Sequence, residues 1–154
     1  MSTGLKFGLL LPHFGAHASV RQCLDGARRA EALGFDNVWA RDHLVFTPHP
    51  GEGGDNAHIE SLLLLSAVAA VTNKIDLGTA MTICHRHPIH LAQACAALSE
   101  MSNGRLILGL GLGGFPHEFA AAGRPTGLAE RAELARVNIE ICRALWRGEK
   151  LSHC

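Results

Sequence analysis

Two adjacent polar residues, Asp42 and His43, closely follow an apolar segment that has the composition of a buried strand. That segment, residues 35–40, reads FDNVWA. Histidine titrates near neutral pH and can donate or accept a proton beside a reacting group. Barrel enzymes place such groups at the carboxyl ends of their parallel strands. The pair is therefore a candidate for proton transfer; the alternative is that Asp42 caps a loop and His43 bonds backbone.

A glycine cluster at residues 109–114 is a second candidate site, and it follows the short apolar run LIL. Its spacing fits G-x-G-x-x-G with Gly109, Gly111 and Gly114, a pattern that binds dinucleotides when a helix opens directly after it. Here FPH follows, and we predict the next helix only from about residue 127. The cluster better fits the rim of a (β/α) barrel, where absent side chains leave room for a flat ring. Plain helix–strand packing by glycine is the alternative.

Three histidines, His85, His87 and His90, form the pattern H-x-H-x-x-H, which superficially suggests a metal site. Pro88 interrupts the geometry between them, and no cysteine or acidic residue stands at a useful spacing. We therefore predict no metal. Arg86 and His87 are expected to face the mouth of the site, and His90 to begin a helix.

The elements that must position these residues alternate between strand and helix. Apolar runs predict strands at residues 5–11, 35–40, 75–82 and 106–108. Helices are predicted at residues 19–33, 57–72, 89–101 and 127–146, with long loops at 45–56 and 112–126. Buried strands joined by right-handed helical crossovers form a parallel sheet. The fold class is therefore α/β, either a small open sheet or four βα units of a (β/α)8 barrel, which typically needs about 250 residues.

Length, charge and cysteine content exclude several classes of protein. The 154 residues suit one domain spanning residues 1–154. Basic and acidic residues both number 14, so the charge gives no basis for binding nucleic acid or an anionic membrane. No apolar run is long enough to span a bilayer, and the N-terminus lacks a signal-peptide pattern. Five widely spaced cysteines predict buried thiols in a reducing cytoplasm.

Several segments together resemble the luciferase-like monooxygenase family of flavin- or F420-dependent oxidoreductases. They read GLLLPHFG, EALGFDNVWARDHL, LGTAMTICHRHPIHLAQACAALSEMSNGRLILGLGLGG and ERAELARVNIEICRALWRGEKLSH. The match is colinear along essentially the whole chain and looks closest to the F420-using branch. It implies a (β/α)8 TIM barrel of which this chain is the N-terminal half, about four βα units, and hence a fragment or a split protein.

The resemblance also implies a site. His43 would lie at the reactive face of the cofactor as proton donor or acceptor, with Asp42 positioning it. The end of the third strand would back the ring, with a non-proline cis peptide between Ala80 and Met81, and the glycines would form the rim. The expected cofactor-binding residues are Thr79, Ala80, Met81, Thr82, Gly111, Gly113 and Gly114.

The cofactor implied by the resemblance is F420, with FMN as the alternative, and the substrate is a small organic molecule. Glu118 matches an acid that is common in the family, and we predict a structural role for it. The family's sugar-phosphate branch carries an acid where this chain has Gly114. That branch's substrate is therefore not implied.

Two hypotheses from other classes stay open. The chain could be a non-catalytic half-barrel whose unpaired edge strands make it self-associate as a homo-oligomer or pair with a C-terminal half. It could also be a small doubly wound domain that binds a nicotinamide nucleotide at residues 109–114. Binding of F420 or FMN against NAD(P) separates these hypotheses.

Overall fold

The computed structural model describes residues 4–151, in which strands and helices alternate. The strands are β1 (Gly8–Leu10), β2 (Asn37–Ala40), β3 (Asp76–Thr79), β4 (Thr82–Ile83), β5 (Leu106–Ile107) and β6 (Leu110–Gly111). The helices are α1 (Val20–Ala32), α2 (Ser61–Ala69), α3 (Pro88–Met101), α4 (Pro116–Ala121) and α5 (Leu128–Trp146). Among these helices, none is long and apolar enough to cross a lipid bilayer.

All strand pairing in the two sheets is parallel. One sheet has the order β1-β2-β3-β5, and β4 pairs with β6 in a second, two-stranded sheet. The predicted parallel βα architecture is therefore confirmed. Four βα units with parallel strands are what part of a (β/α)8 barrel consists of.

The third predicted strand is divided in two, and the fourth is followed by a strand that was not predicted. The third is interrupted between β3 and β4, where the peptide bond between Ala80 and Met81 is cis, as predicted. The fourth, predicted at residues 106–108, is β5, and after a break at Leu108 and Gly109 the chain forms β6 within the glycine cluster. The two breaks lie side by side, because the Gly109 carbonyl accepts a hydrogen bond of 2.8 Å from the Thr82 amide.

The helices cover one face of the larger sheet. In the shared register, Leu9, Val38, Leu77 and Leu106 are neighbours, and Val38 and Leu77 are fully buried in the main core. Because side chains alternate along a strand, the next register row points to the opposite face. That row contains Leu10 and Ile107, which are 49% and 37% exposed.

Helix boundaries differ from prediction in two places. Helix α2 begins at Ser61 instead of residue 57, because the Glu60 carboxylate caps it by accepting the Leu63 amide at 2.7 Å. The predicted loop at residues 112–126 contains α4, which begins at Pro116. Its six residues are too few for a periodic pattern to reveal. The dozen-residue gap expected between the glycine cluster and the next helix is therefore wrong.

Candidate active site

Four charged or titratable candidate residues lie beyond the carboxyl ends of the strands, whereas none of the residues predicted to hold a ring, at 79–82 and 111–114, lines the cleft described next. Asp42 and His43 follow β2, Arg86 follows β4, and Glu118 lies on α4, which follows β6. A cleft of about 900 Å³ opens between the segment after β2 and the first turns of α2 and α3. Its lining includes His43, His58, Glu60, His85, Arg86 and His87. Arg86 and His87, which were predicted to face the mouth of the site, both line this cleft.

His43 is held by one carboxylate oxygen. Its Nδ1 lies 3.1 Å from Glu118 Oε1, and the same oxygen accepts the backbone amides of Leu44 and Val45 at 3.1 and 3.2 Å. Phe46 and Phe115 pack against the imidazole, with ring centroids 5.3 and 5.6 Å away. The side chain of His43 is 9% exposed, so its orientation is set almost entirely by the protein.

Asp42 does not position the His43 ring, and this prediction is corrected. The Asp42 carboxylate instead accepts hydrogen bonds from the Ser61 hydroxyl, the Ile83 amide and the Arg86 guanidinium. Burial alone would raise its pKa, but Arg86 and these other donors hold the pKa below its ordinary value. The buried, charged Asp42 carboxylate thus links the end of β2 to β4 and α2 through hydrogen bonds.

Arg86 joins the same network from the other side. Its Nε donates to Asp42 Oδ2 at 2.9 Å and its Nη2 to Glu60 Oε1 at 2.6 Å. Burial acts to lower the pKa of Arg86, but the two carboxylates raise it, so the group stays charged. Because Glu60 also caps α2, this ion-pair network fixes the wall of the cleft.

Two further histidines, His13 and His58, extend the site, and no sequence motif singled them out. The ring of His58 lies 5.0 Å from that of His13 and 5.6 Å from that of His43, centroid to centroid. His13 Nε2 accepts the Arg41 amide at 2.8 Å, so Nδ1 carries the proton and donates to the Ile59 carbonyl at 3.1 Å. Burial lowers the pKa of His13 to about 4, so it stays neutral at physiological pH. The rings of this cluster come from histidine and phenylalanine residues in separate segments of the chain. Because these residues have no regular spacing, the sequence alone does not predict the cluster.

The three histidines of H-x-H-x-x-H serve different purposes. His85 is buried against Phe119, with its Nδ1 unpartnered by the described residues, and burial lowers its pKa. His87 caps α3, accepting the Ile89 amide on Nδ1 at 3.3 Å. His90 is exposed on the first turn of α3, between the buried Pro88 and Leu91. Across residues 4–151, no group of three or more His, Cys, Asp or Glu side chains has the geometry of a metal site.

The residues predicted to contact a ring divide into exposed and buried members. Ala80 is exposed and Met81 is 51% exposed. Thr79 and Thr82 are fully buried, and Thr79 Oγ1 donates to the Gly109 carbonyl at 3.0 Å. The Thr79 side chain therefore holds the strand ends together, the Thr82 hydroxyl is buried without a partner among the described residues, and of these four residues only Ala80 and Met81 offer surface.

The glycines differ in the same way. A Cβ on Gly113, whose φ is +73°, would lie 2.7 Å from the Phe119 ring, and one on Gly111 would lie 2.9 Å from the Met81 methyl. A Cβ on Gly114 would meet nothing within 4 Å. Gly111 and Gly113 thus make room for this chain's own side chains, which was the structural alternative, and only Gly114 borders open space.

Comparison with known proteins decides the family. The family described as luciferase-like monooxygenase matches residues 5–154. The chain belongs to the luciferase-like monooxygenase family. Members of this family share the TIM-barrel fold, and the present chain covers about two fifths of each of the relatives described below.

The relatives are oxidoreductases. A curated F420-dependent glucose-6-phosphate dehydrogenase from Amycolatopsis mediterranei is 38% identical over 135 residues, which is 86% of this chain and 39% of the dehydrogenase. A solved monooxygenase from Streptomyces bottropensis is 30% identical with a TM-score of 0.72, covering 92% of this chain and 43% of the enzyme.

A second solved structure, an F420-dependent secondary alcohol dehydrogenase in complex with an F420-acetone adduct, superposes with a TM-score of 0.80. It is 24% identical to the present chain, covering 97% of it and 44% of the dehydrogenase. At that identity the likeness shows the shared fold alone. Together with the family match, it confirms that this luciferase-like chain is part of a TIM barrel.

Proposed function

We propose that the protein to which this luciferase-like chain contributes is an F420-dependent oxidoreductase that acts on a small organic molecule. Residues 1–154 would be one domain, the N-terminal half of its barrel. The observation that carries the proposal is a single histidine, His43, held by a buried carboxylate at the carboxyl end of β2 and lining the cleft. The family match and the F420-dependent relatives support the same cofactor.

The residues present fit part of such a cofactor. Ala80, Met81 and Gly114 offer exposed surface beside the strand ends, and nothing lies within 4 Å of the position where Gly114 would carry a Cβ. When bound, F420 supplies a ring position that gives or takes a hydride. This chain would support the ring with the Ala80–Met81 backbone and Gly114.

His43 would exchange the proton that accompanies the hydride. A histidine can act in both directions near neutral pH, because its imidazole is neither always charged nor always neutral there. Asp42 and Arg86 would keep β2, β4 and α2 in place beneath it. They would thus act on the chemistry only through the position of the strand end.

An FMN-dependent monooxygenase is the second candidate, and the solved Streptomyces bottropensis monooxygenase supports its monooxygenase part. A nicotinamide-binding domain is not favoured, since Leu110 and Gly111 are paired in β6 instead of forming a phosphate-binding turn.

We propose that the exposed face of the sheet is covered by a second half of the barrel or by another copy of the chain. On that face Leu10 and Ile107 are 49% and 37% exposed, and beyond the strand ends Met81 and Leu112 are 51% and 37% exposed. Exposed apolar side chains, where they form a continuous patch, mark interaction surfaces or aggregation-prone ones. Sedimentation velocity of the purified chain tests this proposal: association is expected, and a stable monomer across concentrations contradicts it.

A cytoplasmic location is the last part of the proposal. Cys23, Cys84, Cys95 and Cys142 are free and buried. Burial raises the pKa of the Cys95 thiol to about 12, so it stays protonated. Buried, protonated thiols suit a reducing compartment.

Native mass spectrometry of the chain with F420, FMN or NADP tests the cofactor assignment. The proposal predicts a complex with F420. A complex with FMN alone would favour the second candidate, and a complex with NADP alone would support the nicotinamide-binding hypothesis. A chain that binds none of the three contradicts the proposal and supports the non-catalytic half-barrel.

A further inference from the structure

The carboxylate of Glu118 accepts hydrogen bonds from three N–H groups in the segment that follows β2. Besides His43 Nδ1, its Oε1 accepts the amides of Leu44 and Val45, and the residue as a whole is 1% exposed. Glu118 and His43 are 75 positions apart in sequence and lie on separate βα units. The contact therefore depends on the tertiary fold and not on local chain geometry.

This arrangement determines which nitrogen of His43 carries the proton. Backbone amides only donate, so the Glu118 oxygen that receives two of them is an acceptor. The third partner, His43 Nδ1, must then be the donor. In the neutral imidazole the lone pair consequently lies on Nε2, the nitrogen on the far side of the ring from Glu118.

The surrounding aromatic side chains keep the His43 ring in this orientation. Phe46 and Phe115 contact the imidazole from two directions, and the His58 ring stands at 89° to it with centroids 5.6 Å apart. A ring flip would exchange Nδ1–H for a C–H group and leave Glu118 without its third donor. Loss of a hydrogen bond to a buried carboxylate is unfavourable, because no water replaces the lost donor there.

We propose that Glu118 is a positioning residue that keeps His43 in the Nδ1–H form, so that Nε2 is the nitrogen that exchanges protons. In that exchange the Nε2 lone pair takes a proton from the substrate or returns it, while the Nδ1 proton stays in place. The carboxylate offsets the charge of the imidazolium formed when Nε2 is protonated. The catalytic part of this role rests on the proposed function.

Long-range proton–nitrogen NMR on the 15N-labelled chain tests the assignment without any cofactor. The spectrum distinguishes a protonated from an unprotonated ring nitrogen, and His43→Gln identifies the signals of His43. The wild-type chain is expected to show Nδ1 protonated and Nε2 unprotonated for neutral His43. Glu118→Ala should lose this single form and give a mixture of the two tautomers, whereas the exposed-surface control Glu133→Ala should retain it.

Several outcomes overturn the proposal. A wild-type spectrum with the proton on Nε2 contradicts it directly, as does a Glu118→Ala chain that keeps the Nδ1–H form alone. If Glu118→Ala fails to fold, the wild-type spectrum still decides the tautomer, and Glu118→Asp, one methylene shorter, must weaken the preference. Failure of F420 to bind contradicts the proposed function but leaves this spectrum, and hence the role of Glu118, to be decided separately.

Discussion

The Asp42 carboxylate and the Arg86 guanidinium form a buried ion pair that joins the ends of β2 and β4, with Arg86 Nε 2.9 Å from Asp42 Oδ2. Asp42→Asn removes the negative charge and leaves Arg86 with Glu60 as its remaining carboxylate partner. Removing one partner of a buried pair is strongly destabilising, so we expect a loss of about 3 kcal/mol in the free energy of unfolding. Urea unfolding followed by circular dichroism measures it.

The matched control is Asp25→Asn. Asp25 pairs with Arg28 at 3.0 Å on the exposed face of α1. An exposed pair contributes at most about 1 kcal/mol. Equal losses for Asp25→Asn and Asp42→Asn would contradict the role assigned to the buried pair.

Gly113 and Gly114 are neighbours with opposite tolerance for a side chain. Gly113→Ala places a methyl group at φ +73°, against Phe119 and Ile83, and should cost about 2 kcal/mol of unfolding free energy. Gly114→Ala meets nothing within 4 Å and should change stability by less than about 0.5 kcal/mol. Thermal unfolding of the two variants compares them, and a Gly114→Ala loss as large as that of Gly113→Ala would show that the glycine assignments are wrong.

Much of the fold could be predicted from sequence because its signals are local. Buried apolar runs and helix caps place the four βα units, and Ser19 does accept the Gln22 amide at the start of α1. Family likeness placed the cis peptide at Ala80–Met81, for which composition gives no signal. The short helix α4, the division of the third strand and the additional strand β6 depend on tertiary contacts, and no periodicity reveals them.

The site was predicted only in part for the same reason. The strand end that carries His43 could be located, but its hydrogen-bond partner could not. Asp42 is adjacent in sequence, yet its side chain turns to Arg86, while the distant Glu118 reaches His43. Neighbours in sequence at a strand end point in different directions, so adjacency is a poor guide to which acid holds a histidine.

His13 should make stability depend on pH. Its pKa is about 4 in the folded chain against an ordinary 6.5, so between these values the unfolded chain binds a proton that the folded chain does not. The contribution of neutral His13 to the free energy of unfolding is fully present above pH 6.5 and declines as the pH falls towards 4. Between about pH 7.5 and about pH 4.5, the free energy of unfolding of His13→Asn should therefore fall by about 2.5 kcal/mol less than that of the wild-type chain.

Urea unfolding at the two pH values measures this difference. His90→Asn, at an exposed position on α3, provides the comparison for loss of one surface histidine. If His13→Asn and the wild-type chain lose the same free energy on acidification, His13 is not the buried neutral group that its hydrogen bonds indicate.

His43 is predicted to carry the proton during turnover. In the whole protein, with F420 and a substrate found by screening small organic molecules, His43→Gln should lower the rate of F420 reduction by about 10²- to 10⁴-fold, the usual contribution of a general acid or base. F420 binding should be unchanged, because the proposal assigns support of the ring to Ala80, Met81 and Gly114. Weaker binding with an unchanged rate would make His43 a binding residue instead.

An NMR titration of the chain with F420, observing the Met81 methyl group and the His43 ring, tests the proposed cofactor site. Met81 is half exposed at the cis peptide, and His43 lines the cleft. We expect saturable shifts of both signals with F420 and none with NADP. No shift of either signal with F420, or shifts confined to residues 109–114 with NADP, would contradict the proposed site.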